Sequence, residues 1–386
     1  MTQAAGCYRT PRMDLRALFP VTKRLAYLNH AAVAPPSLRV RDAVLAVIDD
    51  LSSRGLAAAI DQERRLDETR AALAGFIGAT PGEIAFVRNT SHALSLVAEG
   101  LSWAAGDEIV VCRALEYPSN LYAWERLAVE RGVVIREIEP VRGGVTLDEI
   151  VKVLSPRTRL VAVSSVQYAT GTVIDLAGLA TLCRARGILT SVDVIQSLGV
   201  LPLSVSDLGI DFAAAGGHKW SLGLPGSGIL YARQEHLEAM RPALVGWRAT
   251  QTPFDFDRPN GTLALDAKRF EEGNLSLTGV AALGAGIALI EEVGQRAVQA
   301  HITDLLDGLD EALRGLGCEV SPGPRERAGI LVFRHPRLDG EALAKRLDDE
   351  GVSVSLRRGS VRVAPHLYND KTDTDRLVSV LRAALR

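Results

Sequence analysis

Between residues 83 and 231, short apolar runs alternate with segments of helical periodicity, and this alternation constrains the fold more than any other feature of the chain. One run opens at Glu83, a second ends near Arg113, a third begins at Val133, and others occupy 160–165, 188–192, 212–215 and 228–231. Parallel strands need a crossover, usually a helix, so the pattern predicts an α/β fold: a mostly parallel sheet with helices on both faces. Ligands of such sheets collect beyond the carboxyl ends of the strands. Ser91, Tyr117, Gln167, Asp193 and Lys219 all fall at strand ends, which gathers them toward one site.

Lys219 lies in IDFAAAGGHKWSLGLPGSGILY (210–231), after a strand and a Gly-Gly hinge. With no acid near it in sequence, a lysine there can be desolvated and act as an amine nucleophile toward an aldehyde; a solvated loop lysine is the plain alternative. In GILTSVDVIQSLG (187–199) a β-rich run delivers Asp193, with Gln196 three residues on; a helix N-cap is the other reading of Asp193. Pyridoxal phosphate chemistry needs such a pair. The lysine holds the cofactor as a Schiff base, and the carboxylate keeps the pyridine nitrogen protonated so that the ring accepts electrons. The 26 residues from Asp193 to Lys219 suit one strand end, a connector and the next strand, and Gln196 then lies within reach of the ring's phenolic oxygen.

The other motifs divide between site and scaffold. YLNHAAVAPPS turns at Asn29 and His30 and leads into a helix capped by Ser37, to about Arg54; Asn29 and His30 either face a site or only form the turn. A second helix spans 61–77, with Arg64, Arg65 and Arg70 on a solvated face. The strand opening at Glu83 runs into Asn-Thr-Ser and an amphipathic helix, so Thr90, Ser91 and His92 form an anion site suited to a phosphate, or Thr90 is simply the cap. Tyr117 stacks on a flat ring or is a surface aromatic. Residues 248–274 read as a long loop pinned by Phe254, Phe256 and Phe270, and 279–290 as a buried packing helix extending to about Leu316. The C-terminal part reads as a smaller α+β domain. Within its strand VRVAP, Arg362 offers a guanidinium fork for a carboxylate or is an ordinary strand-edge arginine.

Composition narrows the classes. The 386 residues, 47% hydrophobic and 23% charged, suffice for about two domains, and a formal charge of −2 gives no footprint for nucleic acid or an anionic membrane. Cys7, Cys112, Cys183 and Cys318 lack disulfide or zinc spacing, so free thiols in a reducing cytoplasm and no metal are expected. The N-terminus lacks the apolar core of a signal peptide and reads as a loose tail, and no apolar run reaches spanning length. The glycines at 223–228 lack GxGxxG spacing, and Gly-Gly-His-Lys-Trp lacks the hydroxyl residue of a P-loop.

These motifs, from YLNHAAVAPPS to RVAPHLYND and DTDRL, resemble the fold-type I pyridoxal phosphate enzymes of the class V aminotransferase group, nearest the cysteine desulfurase, selenocysteine lyase and isopenicillin N epimerase-like branch. The resemblance implies a large cofactor-binding domain over 29–294 and a small α+β domain formed by 1–28 and 295–386. It implies Lys219 as Schiff-base lysine and catalytic base, Asp193 on the pyridine nitrogen and Gln196 near the phenolic oxygen. Ser91, neighbouring amides and His218 would hold the phosphate, and Thr90, His92 and Gln167 join the cofactor set. Tyr117 after Glu116 stands where desulfurases stack a histidine. Arg362 falls on the substrate-carboxylate arginine, with Asn29 and His30 beside it. RFEEGN (269–274) resembles a loop whose Asn274 region reaches the neighbouring subunit's phosphate, implying a homodimer.

Two departures stand out. Gly216 replaces a phosphate-binding serine, and the short segment SLRRGSVRV before Arg362 carries no cysteine, so persulfide transfer is disfavoured. The expected activity is an amino acid aminotransferase or cysteine/cystine C–S β-lyase. Epimerisation stands behind these, and a catalytically idle partner protein last, since both Lys219 and Asp193 are present.

Overall fold

The computed structural model describes residues 13–323 and 326–386; Cys7 and the expected N-terminal tail lie outside them. Seven strands form the central sheet: β1 (Ile84–Val87), β2 (Glu108–Val111), β3 (Val134–Glu137), β4 (Thr158–Ser164), β5 (Leu189–Asp193), β6 (Phe212–Gly216) and β7 (Gly228–Ala232), in the order β1-β7-β6-β5-β4-β2-β3. Only β7 runs against its neighbours. It follows β6 through a glycine-rich loop instead of a helix, so it returns antiparallel.

Period-two alternation then fills both faces. In β4, Leu160 and Ala162 join the cluster around Leu94, Val97 and Trp124, while Val161 and Val163 join Ile150 and Leu179 on the other face. Phe212 and Ala214 of β6 belong to the first cluster, and Ala213 and Ala215 to the largest core cluster, which continues into the C-terminal part. A sheet covered on both faces needs near-continuous apolar strands, and β1, β2, β6 and β7 are buried throughout.

The major helices are α1 (Leu38–Arg54), α2 (Leu56–Phe76), α3 (Thr90–Gly100), α4 (Ser119–Arg131), α5 (Leu147–Val153), α6 (Leu176–Arg184), α7 (Leu277–Val293), α8 (Gln295–Gly315), α9 (Gly340–Asp349) and α10 (Lys371–Ala384). Ser37 caps α1 by accepting the Val40 N–H at 3.2 Å. The expected continuous helix to Leu316 is instead two helices bent by 80° at Gly294, whose φ of +91° is open to glycine at no steric cost. No single described helix is long and apolar enough to cross a membrane.

The C-terminal sheet is antiparallel: β8 (Glu319–Ser321), β9 (Leu331–Arg334), β10 (Ser355–Arg357) and β11 (Ser360–Val363), ordered β10-β11-β9-β8. Ahead of β10, Val352–Ser353 pairs in parallel with Ala26–Tyr27, so the extended run is divided between two sheets. Asn29 bridges to Ala364, so the N-terminal segment is tied to this part of the chain. On α8, Val298, Ile302, Leu306, Leu309 and Leu313 form the apolar stripe that covers it.

Two expectations of the loop region are corrected. Phe254 and Phe256 are exposed, with Trp247 as their aromatic partner among the described residues, so of the three aromatics Phe270 alone is pinned in the core. Arg70 is not solvated. Its guanidinium is 2% exposed and donates to Glu271 and to the Ile84 carbonyl, both at 2.7 Å. Glu271 also accepts the Phe86 N–H at 2.8 Å and Arg248 Nε at 3.2 Å. A charge can sit this deep only because every partner is supplied, and the cluster fastens residues 269–274 to β1 and α2. Replacing Glu271 by leucine strands two buried guanidiniums. The expected loss is about 3–5 kcal/mol, seen as a lower urea midpoint; an unchanged midpoint would show that the cluster holds nothing.

Candidate active site

The carboxyl ends of the parallel strands open into a cavity of about 340 Å³. Asp193 is the last residue of β5, and its neighbour β6 pairs Ala214 opposite it. Beyond β6, Gly216 and Gly217 turn the chain and place His218 and Lys219 on the cavity wall. Gly216 leaves room for the His218 ring, because a Cβ there would stand 3.1 Å from Nδ1. The β1–α3 turn contributes Asn89, Thr90 and Ser91; the β2–α4 loop Tyr117 and Ser119; the segment after β4 Tyr168; and the β10–β11 hairpin Arg357 and Arg362.

Burial dominates the electrostatics. It lowers the pKa of Lys219, helped by Arg362 and Arg357 and opposed by Asp193. It raises that of Asp193, with the nearby Glu116 adding, while the Ile195 N–H donated to Oδ1 at 2.9 Å and Lys219 oppose. His218 is pushed down to about 4 by burial and then by Lys219, so its ring is neutral at neutral pH. Arg362 is 1% exposed and donates Nη1 to the Tyr168 carbonyl at 2.7 Å, while its Nε and Nη2 are buried without a partner.

These groups form the donor set of a phosphorylated, pyridine-containing aldehyde. Asn89 caps α3 by accepting the His92 N–H at 2.9 Å, which leaves the Thr90 and Ser91 amides at the cavity end for an anion. The Ser91 and Ser119 hydroxyls lie 2.7 Å apart beside them. The buried carboxylate of Asp193, with no ion pair among the described residues, calls for a protonated ring nitrogen. Lys219 supplies the amine. The residues present fit pyridoxal phosphate.

Several expected residues stand elsewhere. The cap of α3 is Asn89, not Thr90, whose Oγ1 accepts the Gly216 N–H at 2.8 Å and ties the helix to β6. The His92 ring turns out of the cavity toward Arg88 and Glu272. Gln167 does not line the cavity; it is buried and donates to Glu116 at 3.0 Å. Asn29 and His30 also miss it, because their segment pairs with the C-terminal part. Asn29 binds Val354 and Ser355, and His30 Nδ1 lies 3.0 Å from the Ala364 carbonyl oxygen; the next residues, Ala31 and Ala32, line the cavity instead. Gln196 lines it, giving one amide hydrogen to the Ala31 carbonyl and accepting from Trp220 Nε1. Tyr117 is half exposed at the mouth, with Lys219 Nζ 5.8 Å from its ring centre. Asn274 lines a separate recess with Arg88 and Glu272, and Arg54 pairs with Asp50 and Asp61 on the surface.

Ser119, Tyr168, Arg357 and the support residue Glu116 were not singled out from the sequence for these places. Glu116 is buried and accepts from Ser164, Asn120 and Gln167, tying the Tyr117 loop to the end of β4. For Arg357 a signal was present: Arg-Gly between two alternating runs marks a two-residue hairpin that fixes which side chains share a face.

Residues 26–385 match the family aminotransferase class-V. The chain belongs to that family. It is therefore a pyridoxal 5′-phosphate-dependent enzyme, an aminotransferase of class V or a C–S lyase, on the type I fold. A probable cysteine desulfurase of Methanothermobacter thermautotrophicus is 32% identical, over 95% of this chain and 96% of the relative. An uncharacterized aminotransferase, YcbU, of Bacillus subtilis is 30% identical over 95% and 96%. Among solved structures of the family, the apo cysteine desulfurase of Thermococcus onnurineus NA1 is 28% identical with a TM-score of 0.87, covering 96% of this chain and 97% of that one. The cystine C–S lyase C-DES, in complex with its product cysteine persulfide, is 26% identical with a TM-score of 0.88, over 94% and 98%.

In this class-V protein, which has six lysines, burial should populate the neutral amine of Lys219 at lower pH than at Lys345, whose pKa is raised by Asp349. Acylation of the cofactor-free protein, followed residue by residue with mass spectrometry across pH, should reach half-maximal rate earliest at Lys219. Because Asp193 opposes the shift, Asp193→Asn should move that midpoint lower still; a midpoint shared with Lys345 would refute the desolvated amine.

Proposed function

We propose that this enzyme is a β-lyase cleaving the C–S bond of cystine-like amino acids, and the observation that carries this reading is the hairpin over the cavity, which closes in two residues and bears no thiol. Arg358 and Gly359, both at positive φ, make the turn. Persulfide relay needs a mobile thiolate at the substrate sulfur. The described cysteines are buried away from the cavity, and burial pushes their thiols up, to about 11 for Cys112 and Cys318 and about 12 for Cys183. The likeness to a cystine C–S lyase supports the same choice.

Pyridoxal phosphate supplies an aldehyde that takes up the substrate amine and a ring that accepts the electrons released when the α-proton leaves. Arg362 holds the α-carboxylate with its unpartnered Nε and Nη2. Lys219, whose pKa burial lowers to about 8, removes the α-proton in its neutral form. Asp193 would hold positive charge at the ring nitrogen, and Tyr117, at the mouth of the cavity, would be the aromatic neighbour of the ring. The C–S bond then breaks with its electron pair leaving on sulfur, and hydrolysis of the three-carbon remainder gives pyruvate and ammonium.

The assembly proposed is a homodimer in the cytoplasm. Asn274 and Glu272 lie away from their own cavity, and exposed Leu244, Val245, Phe254, Phe256 and Leu265 flank the same loop, an apolar surface suited to a second copy. Buried free thiols suit a reducing compartment.

Proton NMR in heavy water of the cofactor-loaded protein with cystine should show pyruvate, ammonium and cysteine persulfide, with no keto acceptor required. Alanine from cysteine would mean a desulfurase, the matching keto acid an aminotransferase, and α-deuteration with inversion an epimerase; each overturns the lyase reading. Lys219→Ala should abolish both the products and the lysine-bound cofactor's visible band.

A further inference from the structure

The β10–β11 hairpin places two arginines over the cavity, and only one of them has been used. In the register set by the turn, Arg357 lies opposite Ser360 and Arg362 opposite Ser355, so all four share one face while Leu356 and Val361 point to the other. Arg357 and Arg362 are diagonal neighbours, the spacing at which like charges feel each other on a sheet. The structure carries that repulsion: Arg357 is the second cause, after burial, that lowers the Arg362 pKa. Neither guanidinium forms an ion pair among the described residues. Arg357 spends one N–H on the carbonyl of Leu356 at 2.7 Å and Arg362 one on Tyr168.

The two differ in depth. Arg362 is buried, whereas Arg357 is half-buried, next to the turn, whose Arg358 reaches across to the Ala114 carbonyl in the loop that carries Tyr117. The two guanidiniums are therefore stacked from the floor of the cavity toward its mouth. Resting on the lyase reading for the inner end, the geometry points to Arg357 as a specificity-determining residue that binds a second acidic group on the substrate, beyond the sulfur. The substrate class is β-thio-substituted amino acids with an anionic distal end, either the carboxylate of a disulfide amino acid or the terminal –SO3− of an S-sulfo amino acid (an organic thiosulfate). Elimination balances in both: the Cβ–S bond breaks, its electron pair leaves as the persulfide of cysteine or as thiosulfate, and pyruvate and ammonium remain.

Two measurements on the cofactor-loaded protein test this. In calorimetry with unreactive acids, glutarate should bind roughly 10- to 100-fold more tightly than butyrate, the scale of one charge-assisted hydrogen-bonded contact. Arg357→Gln should erase the difference, and Arg357→Lys should keep part of it. In kinetics, kcat/KM for cystine and for S-sulfocysteine relative to β-chloroalanine should fall by a similar factor in Arg357→Gln, mainly through KM, and the arm that falls further identifies the distal group. Equal binding of glutarate and butyrate, or equal losses on all three substrates, would mean that both arginines grip one carboxylate and would overturn the inference. Selective glutarate binding without any elimination would sink the lyase reading and leave the second anion site standing.

Discussion

Everything in this cavity depends on keeping a carboxylate and an amine buried close together without letting them neutralise each other in a tight ion pair. Asp193 and Lys219 achieve this because they leave neighbouring parallel strands at different depths. Asp193 is the final residue of β5, still held by the ladder and by the Ile195 amide, while Lys219 lies past the β6 end, beyond two glycines. Desolvation shifts both groups toward their neutral forms. That arrangement costs folding stability and is maintained by the double-faced sheet, whose strands are buried on both sides. Asp193 and Lys219 are the groups that would hold a cationic pyridine ring and its aldehyde, and pairing each of them with such an occupant would offset that cost.

The parts of the chain that were legible in the sequence are those governed by local periodicity. The strand runs 188–192 and 212–215 and the cap at Ser37 are written in apolar alternation and cap chemistry, and the structure places them within a residue or two. Lys219 and Asp193 were legible because strand ends are where an α/β sheet collects ligands. What escaped was set by distant partners. Arg70 reads as a surface helix residue until Glu271, far along the chain, arrives beside it. Asn29 and His30 precede a cavity-lining segment but are turned away by pairing with residues near 354 and 364, and His92 turns toward Arg88 once Asn89 has taken the cap. None of these choices is made by a residue's immediate neighbours.

The loop over 248–274 shows the same rule from the energetic side. Its aromatic residues promised anchoring, yet two of the three stay in solvent, and the segment is held by one carboxylate bridging two arginines and a strand amide. Apolar content alone does not say which side of a loop faces the core. A buried charge that must satisfy every donor around it does, since any displacement exposes an unpaired guanidinium.

Chemistry and selectivity are divided between the two sheets. The large sheet brings Asp193, Lys219, His218 and the N-terminus of α3 to the cavity, the groups that fit the cofactor. The small sheet brings the guanidiniums of Arg357 and Arg362 to the same cavity. The two are joined by backbone contacts, Arg362 to the Tyr168 carbonyl, Arg358 to the Ala114 carbonyl and His366 to the Trp220 carbonyl, none of which depends on the identity of the carbonyl-bearing side chain. Two of these contacts are donated by the hairpin's own arginines, so its charge also fastens it to the large sheet. In this chain a short hairpin with two arginines closes over a cavity whose lysine and aspartate stand at the ends of strands of the other sheet, so a change in the hairpin alters the charge facing the cavity without touching the β5 and β6 ends.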